Sequence, residues 1–317
     1  MAMTDLQQFI DAELAGIHGD HTSGAAALGE RAGFIIQRLW GAAEAHAISL
    51  PEAHELLMAT ARRMAVVRAG MAPMAHLAAQ VAGALQAPDR AQWLPELDRV
   101  RRNFLAAAGS GPRLATEFVA RLHSEARVVT LSRSATVSRA LTAAVQHPLP
   151  TGQPRLASIT ILESRPGGEG VTLARELAAL LPQHELALAL LPDAALMTAV
   201  ADASCCLIGA DALLADGDAV NKVGSHPLAL AAHARGIPCY VLTDTTKIAP
   251  EGWPWHPEAA DAAQILPDEI PGVTIAAPLF ERVPRALITV ISEVGQLHAA
   301  DIQARAHAMA LGYQMIA

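Results

Sequence analysis

Residues 207–247 read LIGADALLADGDAVNKVGSHPLALAAHARGIPCYVLTDTTK and combine a strand, a polar loop, a helix and a second strand. The first strand is predicted over Cys205–Ile208, an apolar run that ends at a glycine. Pro227 suits the first turn of a helix predicted over Leu228–Arg235, and the following Gly-Ile-Pro ends that helix before a strand over Cys239–Leu242. The stretch therefore predicts a βαβ unit with a functional loop.

The same stretch contains the only two lysines of the chain, Lys222 and Lys247, whereas arginine supplies the remaining positive charge. Lysine is a compact, mobile point charge with a titratable amine, and arginine is a planar fork. This distribution indicates that lysine chemistry is needed in the loop, with chance placement as the alternative.

Composition narrows the class of protein. The 317 residues suggest two domains or one large domain, with a core of small aliphatic side chains because aromatic residues make up 3%. A formal net charge of −8 argues against a nucleic-acid partner, which would need a basic surface.

Membrane and metal sites are not expected. Mean hydropathy is +0.28, yet charged residues and proline break the most apolar stretch, Leu186–Leu214, before it reaches the ~20 residues that span a bilayer. The N-terminal residues have no basic flank ahead of an apolar core, so no signal peptide is predicted. Three cysteines form neither a disulfide framework nor a metal-ligand spacing, and no cofactor motif is visible. We expect a cytoplasmic, reduced protein without a metal or a cofactor.

The chain divides into two patterns near residue 122. Residues 1–122 repeat apolar side chains at helical spacing, which predicts a helical domain. Residues 123–317 alternate strands and helices, which predicts a Rossmann-like, mostly parallel sheet with helices on both faces, and hence an α/β fold. Its first elements are predicted at Val128–Leu131, Ser134–Gln146, Ser158–Leu162, Val171–Leu181 and Glu185–Leu191.

Three polar turns follow strands of this predicted sheet. They are Ser132-Arg133-Ser134, the segment ESRPGGEG at 163–170, and the loop 211–225 with Lys222. Ligands of open parallel sheets bind at the carboxyl ends of the strands, and each turn leads into a helix N-terminus that favours an anion. A phosphorylated small molecule is therefore the expected ligand. The alternative is that the serines only cap helices and the carboxylates are only solvated. A GxGxxG segment does not follow the first strand, which argues against a dinucleotide.

Four segments of the second domain together resemble a known family in order and spacing. They are TLSRSATVSRAL, ILESRPGGEGVTLARELA, GADALLADGDAVNKVGSHPLALAAHARGIPCYVLTDTTKI and LFERVPRALITVISEVG. The family comprises the regulatory subunits of translation initiation factor 2B, methylthioribose-1-phosphate isomerase and ribose-1,5-bisphosphate isomerase. The helical domain is matched more loosely, through SGAAA and RAGMAPMAHLA.

The resemblance implies a phosphosugar pocket between the two domains and a homodimer formed through the second. In the isomerases, an aspartate of the GAD motif and a cysteine after the first sheet strand interconvert C1 and C2 of an aldose 1-phosphate. Asp211 matches that aspartate, and Asn221 and Lys222 match residues that hold the substrate. Arg165 and Gly170 fit a ligand-binding segment of the family.

Arg68 is the predicted contribution of the helical domain. As one arginine in a RAGMAP segment it would ordinarily be a solvated surface charge. The resemblance instead implies that it reaches a substrate phosphate.

Two departures from the family put isomerase chemistry in doubt. Ser132 stands at the cysteine position, and a serine hydroxyl cannot exchange a proton near neutrality without a base, whereas a thiol can. Glu169 stands where the isomerases have glutamine, and its charge would repel a nearby phosphate.

Three functions remain open. The first is a phosphosugar- or nucleotide-binding member of the family that has lost or altered the isomerase step. The second is an active intramolecular aldose–ketose isomerase with a different substrate, in which Asp211 and Ser132 are the catalytic candidates. The third is an assembly subunit resembling those of initiation factor 2B.

Overall fold

The first third of the chain is helical. The computed structural model describes residues 3–20, 22–87, 90–180, 186–268 and 270–317. The helices of this part are α1 (Met3–Gly19), α2 (Ala25–Glu44), α3 (Leu50–Val66), α4 (Ala72–Ala84), α5 (Arg90–Ala108) and α6 (Gly111–Val119). Two predicted ends, Leu181 and Glu185, lie outside the described residues.

Strands and helices then alternate. The elements are β1 (Ala126–Leu131), α7 (Ala135–Gln146), β2 (Leu156–Leu162), α8 (Glu169–Leu180), β3 (Ala187–Leu191), α9 (Leu196–Ala199), β4 (Cys205–Ile208), β5 (Ala212–Leu213), β6 (Ala219–Lys222), α10 (Ser225–Ala234), β7 (Cys239–Leu242), β8 (Phe280–Val283), β9 (Thr289–Ser292), β10 (Gly295–Leu297), α11 (Ala299–Ala308) and α12 (Ala310–Gln314). The strands predicted at Cys205–Ile208 and Cys239–Leu242 have the bounds of β4 and β7.

Local sequence explains where α3 and α4 begin. Ser49 and Glu52 form a capping box, in which the Ser49 N–H donates to Glu52 Oε2 at 2.9 Å and the Glu52 N–H donates to Ser49 Oγ at 3.4 Å. Pro73 lies in the first turn of α4, where a missing N–H costs little. Helix α4 is buried on nearly all sides because α2, α3, α5 and α12 pack around it.

The main sheet has the strand order β10-β9-β7-β4-β1-β2-β3. Strands β3, β2, β1, β4, β7 and β9 are parallel, and β10 pairs antiparallel with β9 at one edge. The chain winds outward from β1 to β3 and then returns beside β1 with β4. A doubly wound sheet of this order has its crevice between those two strands, so the predicted Rossmann-like fold is confirmed.

Both faces of the sheet are buried, which explains why its strands read as continuous apolar runs. Val128 and Cys205 pack with α6, α7 and α8 on one face, while Val129 and Cys206 pack on the other, where α10 lies. Burial raises the pKa of the Cys205 thiol to about 12, so this cysteine serves as a small core residue.

The polar loop after β4 contains structure that the sequence did not indicate. Strands β5, β6 and β8 form a small antiparallel sheet, and the Leu214 N–H donates to Asp218 O at 2.8 Å in the tight turn that joins β5 and β6. Its strands are too short to show alternation, and β8 lies far along the chain. Helix α10 starts at Ser225, before the predicted Leu228, because Gly224 leaves β6 at φ +100°.

Among the described residues, every helix is too short or too polar to cross a membrane.

Candidate functional site

A cavity of about 520 Å³ lies where the switch point of the sheet meets the helical part. It is lined by the start of α2, by Arg68, by the turn after β1 and by the segment after β4. Residues that could contact a ligand are Thr22, Ser23, Arg68, Ser132, Arg133, Ser134, Glu169, Asp211, Asn221, Lys222 and Lys247. The structure thus brings together six of the predicted site residues, namely Arg68, Ser132, Arg133, Asp211, Asn221 and Lys222.

Ser132 is held in a strained backbone conformation at the end of β1. Its φ is +62°, which side-chain-bearing residues seldom adopt. The Ser132 N–H donates to Ser164 Oγ at 2.6 Å, and the Ser164 N–H donates to Asp193 Oδ1 at 2.8 Å. This chain of contacts ties together the ends of β1, β2 and β3, and fixes the position that the family resemblance associates with a cysteine.

Asp211 lies at the end of β4 and is half-buried. Its N–H donates to Val220 O at 2.7 Å, and its carbonyl accepts the Ala72 N–H at 3.0 Å, which attaches the start of α4 to the sheet. Burial raises the pKa of the Asp211 carboxyl, against the opposing effects of Lys247 first and then of other cations, and Glu258 raises it further. Asp211 can therefore hold or release a proton closer to neutrality than an exposed aspartate.

Asn221 and Lys222 come from β6. The Asn221 Nδ2 donates to Ser225 Oγ at 2.8 Å, and that hydroxyl donates to Lys222 O at 2.6 Å, so the amide and the start of α10 are fixed together. The Lys222 side chain is 4% exposed and its Nζ donates to Glu169 Oε1. The lysine expected to receive a phosphate already has a carboxylate partner.

Lys247 is a site residue that we did not predict from the sequence. It is 6% exposed, and its Nζ donates to Ala210 O at 2.6 Å, beside Asp211. The Asp244 carboxylate accepts the Thr246 N–H at 3.1 Å and holds the short turn that carries Lys247. The sequence signal that could have identified Lys247 was the number of lysines: the chain has two, and both line this cavity.

Arg68 is buried rather than solvated, at 5% exposure. Its guanidinium binds the Glu258 carboxylate through two nitrogens, at 3.3 and 2.8 Å, and also donates to Asp20 O. The Asp20 side chain in turn accepts the N–H groups of Thr22 and Ser23 at 3.0 and 2.9 Å, just before α2. Arg68 therefore fixes the start of α2 against the cavity.

Of the three remaining predicted ligand-binding residues, one lines the cavity and two lie outside its lining. Arg133 lines the cavity, but its Nε donates to Glu176 Oε1 at 2.6 Å. Arg165 lies outside the cavity lining, and its Nη2 donates to Gln264 O at 2.8 Å. Gly170 also lies outside the lining, where a Cβ would come within 1.9 Å of Leu162 O, so packing accounts for this glycine.

The N-termini of α2 and α7 line the cavity with several residues each, while α4 and α8 contribute only Met71 and Glu169 at their starts. The first amides of a helix have no intrahelical acceptor and carry the positive end of its dipole. Helix α10, which we expected to offer the same, differs: the N–H groups of Gly224 and His226 donate to Glu281 Oε1 at 2.7 and 2.8 Å. The Glu281 carboxylate thus occupies the N-terminus of α10, where we expected a ligand anion to bind. The N-terminus of α2, which has no side-chain cap, offers amides suited to an anion and was not among the three predicted turns.

No group of three or more His, Cys, Asp or Glu side chains is arranged to hold a metal ion within the ranges that the structure describes.

Comparison with known proteins identifies relatives of the chain. The chain is 32% identical over 141 residues to a ribose 1,5-bisphosphate isomerase of Archaeoglobus fulgidus, a match that covers 43% of this chain and 44% of that protein. It is 37% identical over 101 residues to a methylthioribose-1-phosphate isomerase of Desulfitobacterium hafniense, covering 28% of each. The matched segments thus span less than half the length of these curated relatives.

The fold is shared with solved structures over nearly the whole chain. The structure of translation initiation factor eIF-2B of Pyrococcus horikoshii superposes with a TM-score of 0.71 at 23% identity, covering 91% of this chain and 96% of that one. The 5-methylthioribose 1-phosphate isomerase of the same organism gives 0.57 at 18% identity, covering 95% and 87%. A family model extends over residues 24–299, from the start of α2 to the start of α11 and so across both walls of the cavity. The chain belongs to the Initiation factor 2 subunit family.

Proposed function

We propose that this protein binds a phosphorylated sugar or a nucleotide in the cavity at the switch point. The observation that carries the proposal is that the N-termini of α2 and α7 converge on one cavity, whose lining also includes Asp211 and Lys247. Backbone amides with a helix dipole behind them form a seat for a phosphate. A neighbouring carboxylate and amide suit the hydroxyl groups of a sugar.

Binding without the usual isomerisation is the form of the function that we favour. The family resemblance associates proton transfer with a cysteine at position 132, and here the side chain is a hydroxyl. The hydrogen bonds at this turn involve the Ser132 backbone N–H rather than a base that could activate that hydroxyl. Relatives of the chain include proteins named as isomerases, which supports a sugar phosphate as the class of ligand.

An aldose–ketose isomerase acting through Asp211 is the second candidate. The raised pKa of this half-buried carboxyl favours it, because a group that titrates closer to neutrality is a better general acid or base. In that case ketose phosphate would form from an aldose 1-phosphate, and Asp211→Asn would abolish the turnover.

The test is titration calorimetry with aldose 1-phosphates, nucleoside monophosphates and the same compounds without phosphate. We expect binding of at least one phosphorylated compound, with an affinity about tenfold or more above that of its dephosphorylated form. Equal affinities, or no binding by any compound, would overturn the proposed phosphate seat.

A proline substitution tests the seat itself. Ala25 is the first residue of α2 and follows the extended Gly24, so Ala25→Pro removes one amide donor while keeping a residue suited to a helix start. We expect phosphate-dependent affinity to fall about tenfold. The matched control is Ala299→Pro at the first position of α11, outside the cavity, after the extended His298. Melting temperatures of both variants would show that the fold is kept.

We also propose that two copies associate through the second part of the chain. Strand β3 is an edge of the sheet in the described residues, has no charged side chain, and leaves Leu190 46% exposed, with Met197 of α9 57% exposed nearby in sequence. Charged side chains ordinarily protect an edge strand from pairing with another chain, so an edge strand without them favours association with a second copy. Light scattering should give about twice the 33.1 kDa chain mass, and Leu190→Lys should return the protein to a monomer.

A further inference from the structure

Glu169 is an acidic side chain of the cavity lining that contacts the buried Lys222. It is the first residue of α8, and its Oε1 accepts from Lys222 Nζ. Its Oε2 is enclosed by protein and has no hydrogen-bond partner among the described residues. An enclosed oxygen cannot be reached by a ligand, so Glu169 acts on the cavity through its negative charge and through its contact with Lys222.

The charges of the cavity lining are largely matched already. Its basic side chains are Arg68, Arg133, Lys222 and Lys247. Arg68 is paired with Glu258, Arg133 with Glu176 and Lys222 with Glu169. Lys247 donates to a backbone carbonyl and has Asp211 as its nearby opposite charge. Among the described residues, the lining therefore offers one phosphate seat at the helix amides and no unmatched cluster of cations for a second phosphate.

We infer that the Glu169–Lys222 pair selects a sugar with a single phosphate and rejects a bisphosphate. This inference rests on the proposed function and specifies its substrate class. Lys222 holds the Glu169 carboxylate at the cavity lining, so Lys222 is not free to receive a second phosphate. Asn221, the neighbour of Lys222 in β6, also lines the cavity and can contact a hydroxyl group of the ligand.

The chemistry of the two groups explains the selection. A second phosphate carries about −1.5 to −2 charge near neutrality and only acceptor oxygens for this contact. Placed at Lys222 it would meet the Glu169 carboxylate, and like charges brought together in a partly enclosed site repel strongly. A hydroxyl group carries no charge, so the Glu169 carboxylate does not repel it.

The pair is tested by affinity for ribose 1-phosphate and ribose 1,5-bisphosphate, with Glu169→Gln as the variant. Wild-type protein should bind the bisphosphate about tenfold or more weakly than the monophosphate. In Glu169→Gln the amide no longer repels and can donate to phosphate, so the bisphosphate should gain about tenfold while the monophosphate changes by less than about threefold. The control is Glu117→Gln, which removes the carboxylate of an Arg–Glu pair on α6 away from the cavity and should leave both affinities unchanged.

The outcomes separate this inference from the function on which it rests. Equal affinities of the wild type for both sugars, or an unchanged ratio in Glu169→Gln, would overturn the selection while leaving phosphosugar binding in place. Failure of both sugars to bind any of the proteins would overturn the proposed function and the inference together. A melting curve of each variant excludes loss of the fold as the cause.

Discussion

The two strand ends that meet at the switch point, Ser132 after β1 and Asp211 after β4, have very different surroundings. Asp211 lies among Lys247, Lys222 and Arg68, and burial raises its pKa. Ser132 is fixed through its backbone, at φ +62° and by the Ser164 hydroxyl. One end of the crevice is organised by charge and the other by backbone geometry.

This difference bears on the proposed function. Charged and hydrogen-bonding side chains that a ligand could contact lie around the end of β4. At the end of β1 the backbone position is specified closely, yet its side chain is a hydroxyl, with a much higher pKa than a thiol. We infer that ligand binding and proton transfer have separated in this protein.

The largest effect is expected at the β4 end, for Lys247→Met. Lys247 is 6% exposed. Its replacement removes the donor to Ala210 O and the cation that has the largest effect on the pKa of Asp211. The free energy of unfolding should fall by about 3 kcal/mol, since a carbonyl loses its donor and the half-buried Asp211 carboxylate loses a neighbouring cation. Denaturant unfolding measures this, with Arg99→Met in an exposed ion pair as the control, expected within about 0.5 kcal/mol of wild type. Equal effects of the two changes would contradict the electrostatic account of the β4 end.

A smaller effect is expected at the β1 end, for Ser164→Ala. The Ser132 N–H loses its acceptor, which should lower the free energy of unfolding by about 1–3 kcal/mol. Ser158→Ala in the preceding strand, β2, is the control, because Ser158 lies outside this linkage of Ser132, Ser164 and Asp193. If Ser164→Ala proved as mild as its control, the backbone of Ser132 would not depend on the Ser164 hydroxyl.

The smallest effect is the pH dependence contributed by Asp211. Because its folded-state pKa is raised, the stability that Asp211 contributes is fully present below its unfolded value of about 4 and is lost as the pH rises through the folded-state pKa. Asp211→Asn should therefore be more stable than wild type at neutral pH, and the difference should shrink as the pH falls. Unfolding of both proteins measured across this pH range tests the sign. If the stability of Asp211→Asn relative to wild type instead increased as the pH fell, the lysines rather than burial would decide the direction in which the pKa of Asp211 is shifted.

The sequence predicted the parts of the fold that local patterns determine. Strands β4 and β7 are apolar runs closed by glycine and proline, so their bounds were readable, as was the position of Asp211 immediately after a strand. The hairpin of β5 and β6 was missed because strands of two and four residues carry no period, and because their third partner, β8, follows about sixty residues later.

Site residues were predictable where they directly follow a strand. They were not predictable where a contact with a residue distant in sequence determines the position of the side chain. Arg165 follows a strand as predicted, yet its guanidinium bonds to Gln264 O, away from the cavity lining. Arg68 was correctly placed at the cavity, but its partner Glu258 lies 190 residues away and could not be foreseen. Lys247 required the observation that a three-residue turn, closed by Asp244, directs it back to β4.

The most direct test of the central claim is a ³¹P NMR spectrum of an aldose 1-phosphate incubated with the wild-type protein. It reports in one sample on phosphate binding and on any new phosphorylated product. We predict a phosphate resonance that shifts or broadens on addition of protein, with no ketose phosphate resonance after prolonged incubation. A resonance left unperturbed across the aldose 1-phosphates tested would contradict phosphosugar binding, and accumulation of ketose phosphate would show that Ser132 has not ended isomerisation.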